Sequence, residues 1–268
     1  MSIGVFDSGM GGLSVWQEIA IALPEESLIF FGDGLNCPYG SKSREQVLGY
    51  TVNGVEKLLA EGCKMIVIAC NTATAVAIDY LRSHYPDVPF VGLEPAVKPA
   101  ALSTKSGTVA VLATARSLEG ELFQHTSALY ADKVNIIKAV GEGFVELVER
   151  GEENTPQAFE AVRGVVEPLI AAGADRIVLG CTHYPFLRQT IERVIGERDV
   201  EVIDSGSAVS RRVAQLLDMY GLRAESGSEP RYEFMTLADD DYLDRLIFRA
   251  YGCDCEEEAE EGDSTEER

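Results

Sequence analysis

The strongest chemical signal in the sequence is a pair of cysteines, Cys70 and Cys181, each closing a short apolar run that is rich in β-branched residues. The runs are Met65–Thr74 (MIVIACNTAT) and Arg176–Pro185 (RIVLGCTHYP), and small polar residues follow each thiol at once. Such a run reads as a buried parallel strand, and residues just past its carboxyl end lie where open α/β sheets bind their ligands. Residues 58–70 laid over 169–181 agree at six of thirteen positions: Leu58/Leu169, Ala60/Ala171, Gly62/Gly173, Ile66/Ile177, Val67/Val178 and Cys70/Cys181. A lone buried cysteine is more often a packing residue. Two at equivalent places of a repeat, each beside hydroxyl and amide donors, point instead to paired thiols facing one another across a cleft. A thiol, with a free pKa of ~8.5, can give or take a proton near neutrality. Two opposed thiols suit chemistry on both faces of one substrate atom.

The elements that must position these thiols form two related α/β halves. Ile3-Gly-Val-Phe reads as a strand with Asp7 and Ser8 at its carboxyl end, and Gly9, Gly11 and Gly12 allow a tight turn that aims N–H groups at an anion. A helix near Leu13–Ala22 and a strand at Leu28–Phe31 follow, then a loop (Asn36-Cys-Pro-Tyr-Gly-Ser) rich in turn formers. Ser43, with Gln46 three residues on, has the spacing of a capping box, and Gly62 ends the helix it opens. Asn71-Thr-Ala-Thr opens a helix to about Arg82, whose amide end points at Cys70 and predicts a lowered thiol pKa and attraction for a carboxylate. Val91–Leu93 is a further strand, matched in the repeat by Val200–Ile203, and 96–107 crosses to the second half.

The second half holds strands at Val109–Ala113, ending on Thr114, and at Val134–Ala139. Gly143-Phe-Val-Glu-Leu-Val-Glu then leads through a polar stretch to a helix with Thr155 as cap, Pro156 at its first position, a kink expected at Pro168 and a stop at Gly173. After Ser207 come a helix to about Tyr220, a strand near Tyr232–Leu237 and a helix from Asp240 to Ala250, which should return to the first half. The expected fold is therefore α/β, with two pseudo-symmetric parallel-sheet domains and the active site in the cleft between them. The domains are read as 1–95 plus 207–253, and 96–206.

The chain has 268 residues, 46% of them hydrophobic and 25% charged, as in an ordinary globular protein. The formal net charge of −21 argues against a nucleic-acid or anionic-membrane surface. Much of the excess is local, since 254–268 is an acidic stretch with few apolar residues that reads as a disordered tail. Neither a basic, apolar leader nor a run of 18 apolar residues is present, so a cytoplasmic protein with reduced thiols is expected. There is no Walker lysine, dinucleotide fingerprint or strand-end lysine for pyridoxal, and Cys253 and Cys255 offer too few metal ligands. The reading is an enzyme with neither cofactor nor metal. Cys37 and Cys63 lack the setting of the other two thiols and are read as passive.

The motifs GVFDSGMGGLSV at 4–15, PYG at 38–40, ACNTAT at 69–74, GLEP at 92–95 and GCTHYP at 180–185 together resemble those of the glutamate racemases, within the aspartate/glutamate racemase superfamily. That resemblance implies a cofactor-independent enzyme that interconverts L- and D-glutamate and supplies D-glutamate for peptidoglycan. It implies Cys70 and Cys181 as the acid/base thiols, Cys70 acting on D-glutamate and Cys181 on L-glutamate. Asp7, His183 and Glu149 would support them, with Glu146 the rival of Glu149. Glutamate would be held by Asp7, Ser8, Tyr39, Gly40, Asn71, Thr72, Thr182 and His183. A small-molecule substrate, no nucleic-acid or membrane partner, and room for a homodimer complete the expectation. Aspartate racemase or a decarboxylase, a non-catalytic amino-acid-binding protein and a redox pair formed by the two thiols are the competing readings.

Overall fold

The computed structural model describes residues 1–251, leaving aside the side chain of Leu122. The acidic tail expected at 254–268, and Cys253 with Cys255, lie outside the described residues. The strands form two separate parallel sheets, since Ile3–Asp7, Leu28–Gly32, Met65–Ile68 and Arg176–Gly180 are buried at every position, hence on both faces, and the chain returns through helices each time. The first contains β1 (Ile3–Asp7), β2 (Leu28–Gly32), β3 (Met65–Ile68) and β4 (Phe90–Gly92), in the order β4-β3-β1-β2. The second contains β5 (Thr108–Ala113), β6 (Asn135–Val140), β7 (Arg176–Gly180) and β8 (Glu201–Ile203), in the order β8-β7-β5-β6. The orders coincide when β5 to β8 are set over β1 to β4, so the repeat seen in residues 58–70 and 169–181 extends to the topology. One strand has no counterpart. β9 (Tyr232–Thr236) adds beyond β2, in register from Leu28 with Tyr232 to Gly32 with Thr236.

In the first half α1 (Leu13–Ala22), α2 (Arg44–Ala60) and α3 (Asn71–His84) follow the first three strands, and α4 (Val97–Ser103) occupies the crossing. In the second, α5 (Ala115–Glu119) and α6 (Glu121–Ala128) follow β5, while α7 (Phe144–Glu149) and α8 (Pro156–Ala171) follow β6. α9 (Arg188–Ile195) follows β7, α10 (Gly206–Tyr220) follows β8, and α11 (Asp240–Tyr251) ends the described chain. The short helices α4, α5, α6, α7 and α9 are absent from the sequence reading. At five to eight residues each they span about two turns, too little for a 3.6-residue pattern to stand out. α8 runs on past Pro168 to Ala171; Pro168 and Gly164, whose carbonyl loses its partner there, are both exposed, so water can replace the missing bond.

The capping box that opens α2 is complete, with Gln46 N–H donating to Ser43 Oγ at 3.2 Å and Ser43 N–H to Gln46 Oε1 at 3.0 Å. Ser43→Ala should therefore cost about 1 kcal/mol, measured as a shift in denaturant midpoint at unchanged slope. A midpoint identical to wild type would show that the cap carries no stability.

A single apolar cluster joins the halves, running from Val5, Leu13 and Phe30 to Leu112, Leu179, Leu187 and Val213. α10, which follows β8, packs along α1 of the first half. Trp16 of α1, 3% exposed, meets the rings of Tyr232 and Phe234 at 5.1 and 5.3 Å and so fastens β9 to the first half. Each such fully buried side chain contributes roughly 1.5–3 kcal/mol, which holds the ends of β1, β3, β5 and β7 in fixed relation. Among the described residues no helix is long and apolar enough to cross a membrane.

Candidate active site

The loop after β1 is glycine-rich for a reason of space. Gly9, Gly11 and Gly12 are not among the glycines with positive φ. A Cβ on Gly9 would lie 2.2 Å from Glu149 Oε1 and 2.8 Å from Cys37 Sγ; one on Gly11 would lie 2.2 Å from His183 Nδ1; one on Gly12 would lie 2.5 Å from Asp7 Cβ. The turn thus lets side chains of the second half press against the backbone of the first. Its N–H groups do point at anions, and the anions are the protein's own: Gly9 N–H donates to Asp7 Oδ2 at 3.1 Å and Met10 N–H to Glu149 Oε1 at 2.9 Å. Gly11→Ala should lower turnover by on the order of 10²-fold, because the imidazole must shift by about an ångström. Full activity in a variant of unchanged circular dichroism would refute this packing.

Asp7 ends β1 in complete burial and accepts Thr182 Oγ1–H at 3.2 Å, a bond between the two halves. Burial raises its pKa from 3.8 to about 6, against the opposing pull of His183 and of the Gly12 and Gly9 amides. Cys70 caps α3: its sulfur accepts Ala73 N–H at 3.4 Å and its S–H donates to Ser8 Oγ at 3.4 Å. The sequence reading expected the helix end to lower the pKa of this thiol. The structure overturns that expectation, because burial and then the charge of Asp7 push it up to about 12, outweighing the Ser8 and Ala73 bonds that favour the thiolate. Cys70 is accordingly a neutral thiol, a proton donor.

Cys181 stands just beyond β7 in a different setting. Its sulfur is 3.9 Å from His183 Nδ1, and His183 Nε2 meets Glu149 Oε1 at 2.5 Å. Burial alone would lower the histidine pKa, but its bonds with Cys181, Cys37 and Glu149 hold it well above 6.5. Burial works against Glu149 as well, yet the bonds from His183, from Met10 N–H and from Tyr242 keep its carboxyl below the usual range. An imidazolium therefore lies where negative charge on the Cys181 sulfur needs a counter-ion. Glu149 ends α7 in reach of His183, whereas Glu146 is exposed, so geometry selects between the two rivals.

A narrow cavity of about 20 Å³ brings the remaining residues together. Ser8, Tyr39, Gly40, Cys70, Asn71, Thr72, Cys181, Thr182 and His183, all expected at the site, line it, with Asp7 and Glu149 directly behind. Asn71 Nδ2 is buried with no protein partner among the described residues. Tyr39, 1% exposed, is fixed by donating to Asp33 Oδ2 at 2.6 Å. A larger hollow of about 480 Å³ between α1 and α10 reaches Asn71, Cys181 and Thr182 from the other side, but Cys70 does not line it. Both thiols line the narrow cavity.

Sequence reading missed several residues here. Thr114 and Ser117 line the cavity, and Thr72 Oγ1 lies 3.1 and 3.2 Å from their hydroxyls across the cleft. Strand pairing sets Ile3 over Val109, so Thr114 follows β5 as Ser8 follows β1, a signal available from the repeat. Tyr242 of α11 donates to Glu149 Oε2 at 2.9 Å, a contact that a separation of 93 residues conceals. Cys37, expected to be passive, instead has its sulfur within 4.8 Å of ligand atoms of both Glu149 and His183, a donor set able to hold a metal ion. Cys63 lies in the core with Leu58 and Ile66. The four cysteines in the described residues are all free thiols.

Comparison with known proteins agrees with this geometry. The family model for Asp/Glu/hydantoin racemase matches residues 4–213. The glutamate racemase of Herpetosiphon aurantiacus is 45% identical over 237 residues, 88% of this chain and 92% of that protein. Among solved structures, Escherichia coli glutamate racemase in complex with L-glutamate and the activator UDP-MurNAc-ala superposes with a TM-score of 0.81 at 32% identity, covering 93% of this chain and 94% of that one. The glutamate racemase of Francisella tularensis in complex with D-glutamate gives 0.80 at 26% identity, covering 95% of each. With two buried thiols at matching strand ends and relatives of this identity along nearly its whole length, the chain belongs to the Asp/Glu/hydantoin racemase family and, within it, to the glutamate racemases.

Proposed function

We propose that this racemase interconverts L- and D-glutamate by carrying protons to and from Cα with two thiols, Cys70 on one face and Cys181 on the other. The observation that supports it is the shared cavity: thiols from equivalent ends of two repeated sheets line one narrow space, together with hydroxyl, amide and carboxamide groups. A single base could only exchange the proton with retention, whereas opposed groups invert the centre. The setting suits attack on L-glutamate by Cys181, whose sulfur lies 3.9 Å from His183 Nδ1, with the neutral Cys70 thiol reprotonating the other face. Each positioned group supplies roughly 10²–10⁴ in rate, so the carbanion also needs electrostatic support. The amides of Ser8, Asn71 and Thr182, at the mouths of β1, β3 and β7, are placed to give it.

In this reading Asp7, Ser8, Tyr39, Gly40, Asn71, Thr72, Thr182 and His183 hold glutamate, and Glu149 orients His183. Among the described residues, 1–95 with 207–251 form one lobe and 96–206 the other, a division supported by the pairing of β9 with β2. The product D-glutamate serves peptidoglycan synthesis in the cytoplasm, as the resemblance to the glutamate racemases suggests. A homodimer is the assembly that sedimentation would test. The decisive experiment incubates the protein with L-glutamate in D₂O and follows optical rotation together with loss of Cα–H. Rotation falling to zero with deuterium entering Cα is expected. Deuterium entering with full retention would leave only one working face, and none at all would make this a binding protein.

A further inference from the structure

Cys37, Glu149 and His183 come from three separate places, the loop after β2, the end of α7 and the mouth of β7, yet one ligand atom from each lies within 4.8 Å of the others. A thiol, a carboxylate and an imidazole are the donor types that zinc and cobalt prefer. At zinc–ligand distances of ~2.0–2.3 Å the donors around one ion stand roughly 3–4 Å apart, so the cluster needs only a small adjustment to share one. A further observation marks the place as built. Tyr242 holds the other oxygen of Glu149 at 2.9 Å, the kind of outer support that orients a metal-binding carboxylate. His183 is buried, but Cys37 and Glu149 are only half-buried, so an ion can reach the cluster.

We propose that these three residues form a site for a thiophilic divalent cation, with Zn²⁺ as the physiological type, and that its occupancy arrests racemisation. Glu149 already meets Nε2, so that is the nitrogen the ion takes. Binding releases the Cys37 thiol proton and the imidazolium proton to solvent, and the fourth position is left to water. Binding draws the His183 ring and Glu149 to the ion, so the pair that stands beside Cys181, with Nδ1 3.9 Å from its sulfur, is no longer free to serve that thiol.

Co²⁺ is the spectroscopic probe and Zn²⁺ the kinetic one. The reduced protein titrated with Co²⁺ should develop tetrahedral d–d bands and a sulfur-to-cobalt charge-transfer band at one equivalent, and Cys37→Ser should lose the charge-transfer band. In racemisation assays the Zn²⁺ concentration for half inhibition should rise at least about tenfold in Cys37→Ser, with turnover in the absence of metal within about twofold of wild type. Cys37→Ala, matched by its melting curve, should behave alike. The spectroscopic arm stands whatever the catalytic role of His183. The proposal falls if wild type binds no cobalt, or if the band and the inhibition persist in both Cys37 variants and vanish in Cys181→Ser, which would place the ion across the catalytic thiols.

Discussion

Cys70→Ser and Cys181→Ser are each expected to reduce racemisation by at least about 10²–10⁴-fold, because a serine hydroxyl is far too weak an acid or base near neutrality to replace a thiol. Both sulfurs are buried at the ends of corresponding strands, so the exchange of one sulfur for oxygen leaves the fold unstrained. Each variant should keep one working face. Elimination of chloride from a β-chlorinated substrate analogue needs only one proton abstracted, since the leaving group departs in place of a returning proton. With Cys181 serving L-substrates and Cys70 serving D-substrates, Cys181→Ser should eliminate only from the D-analogue and Cys70→Ser only from the L-analogue. Racemisation near the wild-type rate in either variant, or loss of elimination from both enantiomers in both folded variants, would overturn the assignment of one thiol to each face.

Asp7→Asn should make the protein more stable and less active at the same time. Its carboxyl titrates at about 6 in the folded state against 3.8 ordinarily, so the folded chain holds the proton more tightly than the unfolded one. The stability this group gives is present in full below pH ~4 and is lost as pH rises through 6; at 1.36 kcal/mol per unit the loss amounts to about 3 kcal/mol. Asparagine removes the cost without breaking the bonds, for its carbonyl can accept from the Gly9 and Gly12 amides while its NH₂ donates to Thr182 Oγ1. Guanidinium unfolding followed at pH 4 and pH 8 should show the variant gaining over wild type by about 3 kcal/mol between the two. Turnover should fall by on the order of 10²-fold with loss of the charge. A pH-independent stability difference would show that Asp7 is not destabilised in the folded chain.

The penalty on Asp7 and the raised pKa of Cys70 share one origin, since the same packing of the two halves buries both groups. A site that holds its acid as a neutral thiol and its counter-charges as a Glu149–His183 pair is costly to fold and ready to move protons. Stability is lost at the residues on which the chemistry depends.

Much of this was legible in the chain itself. The repeat of Leu58–Cys70 in Leu169–Cys181 follows from apolar patterning and glycine stops, both local signals, and it carried the two sheets, the strand ends and the thiols with it. The capping box at Ser43 and the Thr155-Pro156 start of α8 were legible for the same reason, because caps are written within four residues. Other features needed the folded chain. The short helices lacked enough turns to show a period. The choice of Glu149 over Glu146 depends on which end of α7 faces the first half, and Tyr242 reaches Glu149 only because β9 returns to the edge of the first sheet.

The pKa of Cys70 marks the boundary most clearly. Sequence places the thiol at a helix amide end, a local feature that favours the thiolate. Only the tertiary structure adds burial and the carboxylate of Asp7, and together these outweigh the helix. Cys37 went the other way: nothing within its loop hints at a role, and the fold alone sets it beside His183 and Glu149. Chain order therefore determined which residues end strands and carry thiols, since that is fixed by local pattern. Tertiary structure decided their charge states and partners, because both depend on which distant groups are buried together.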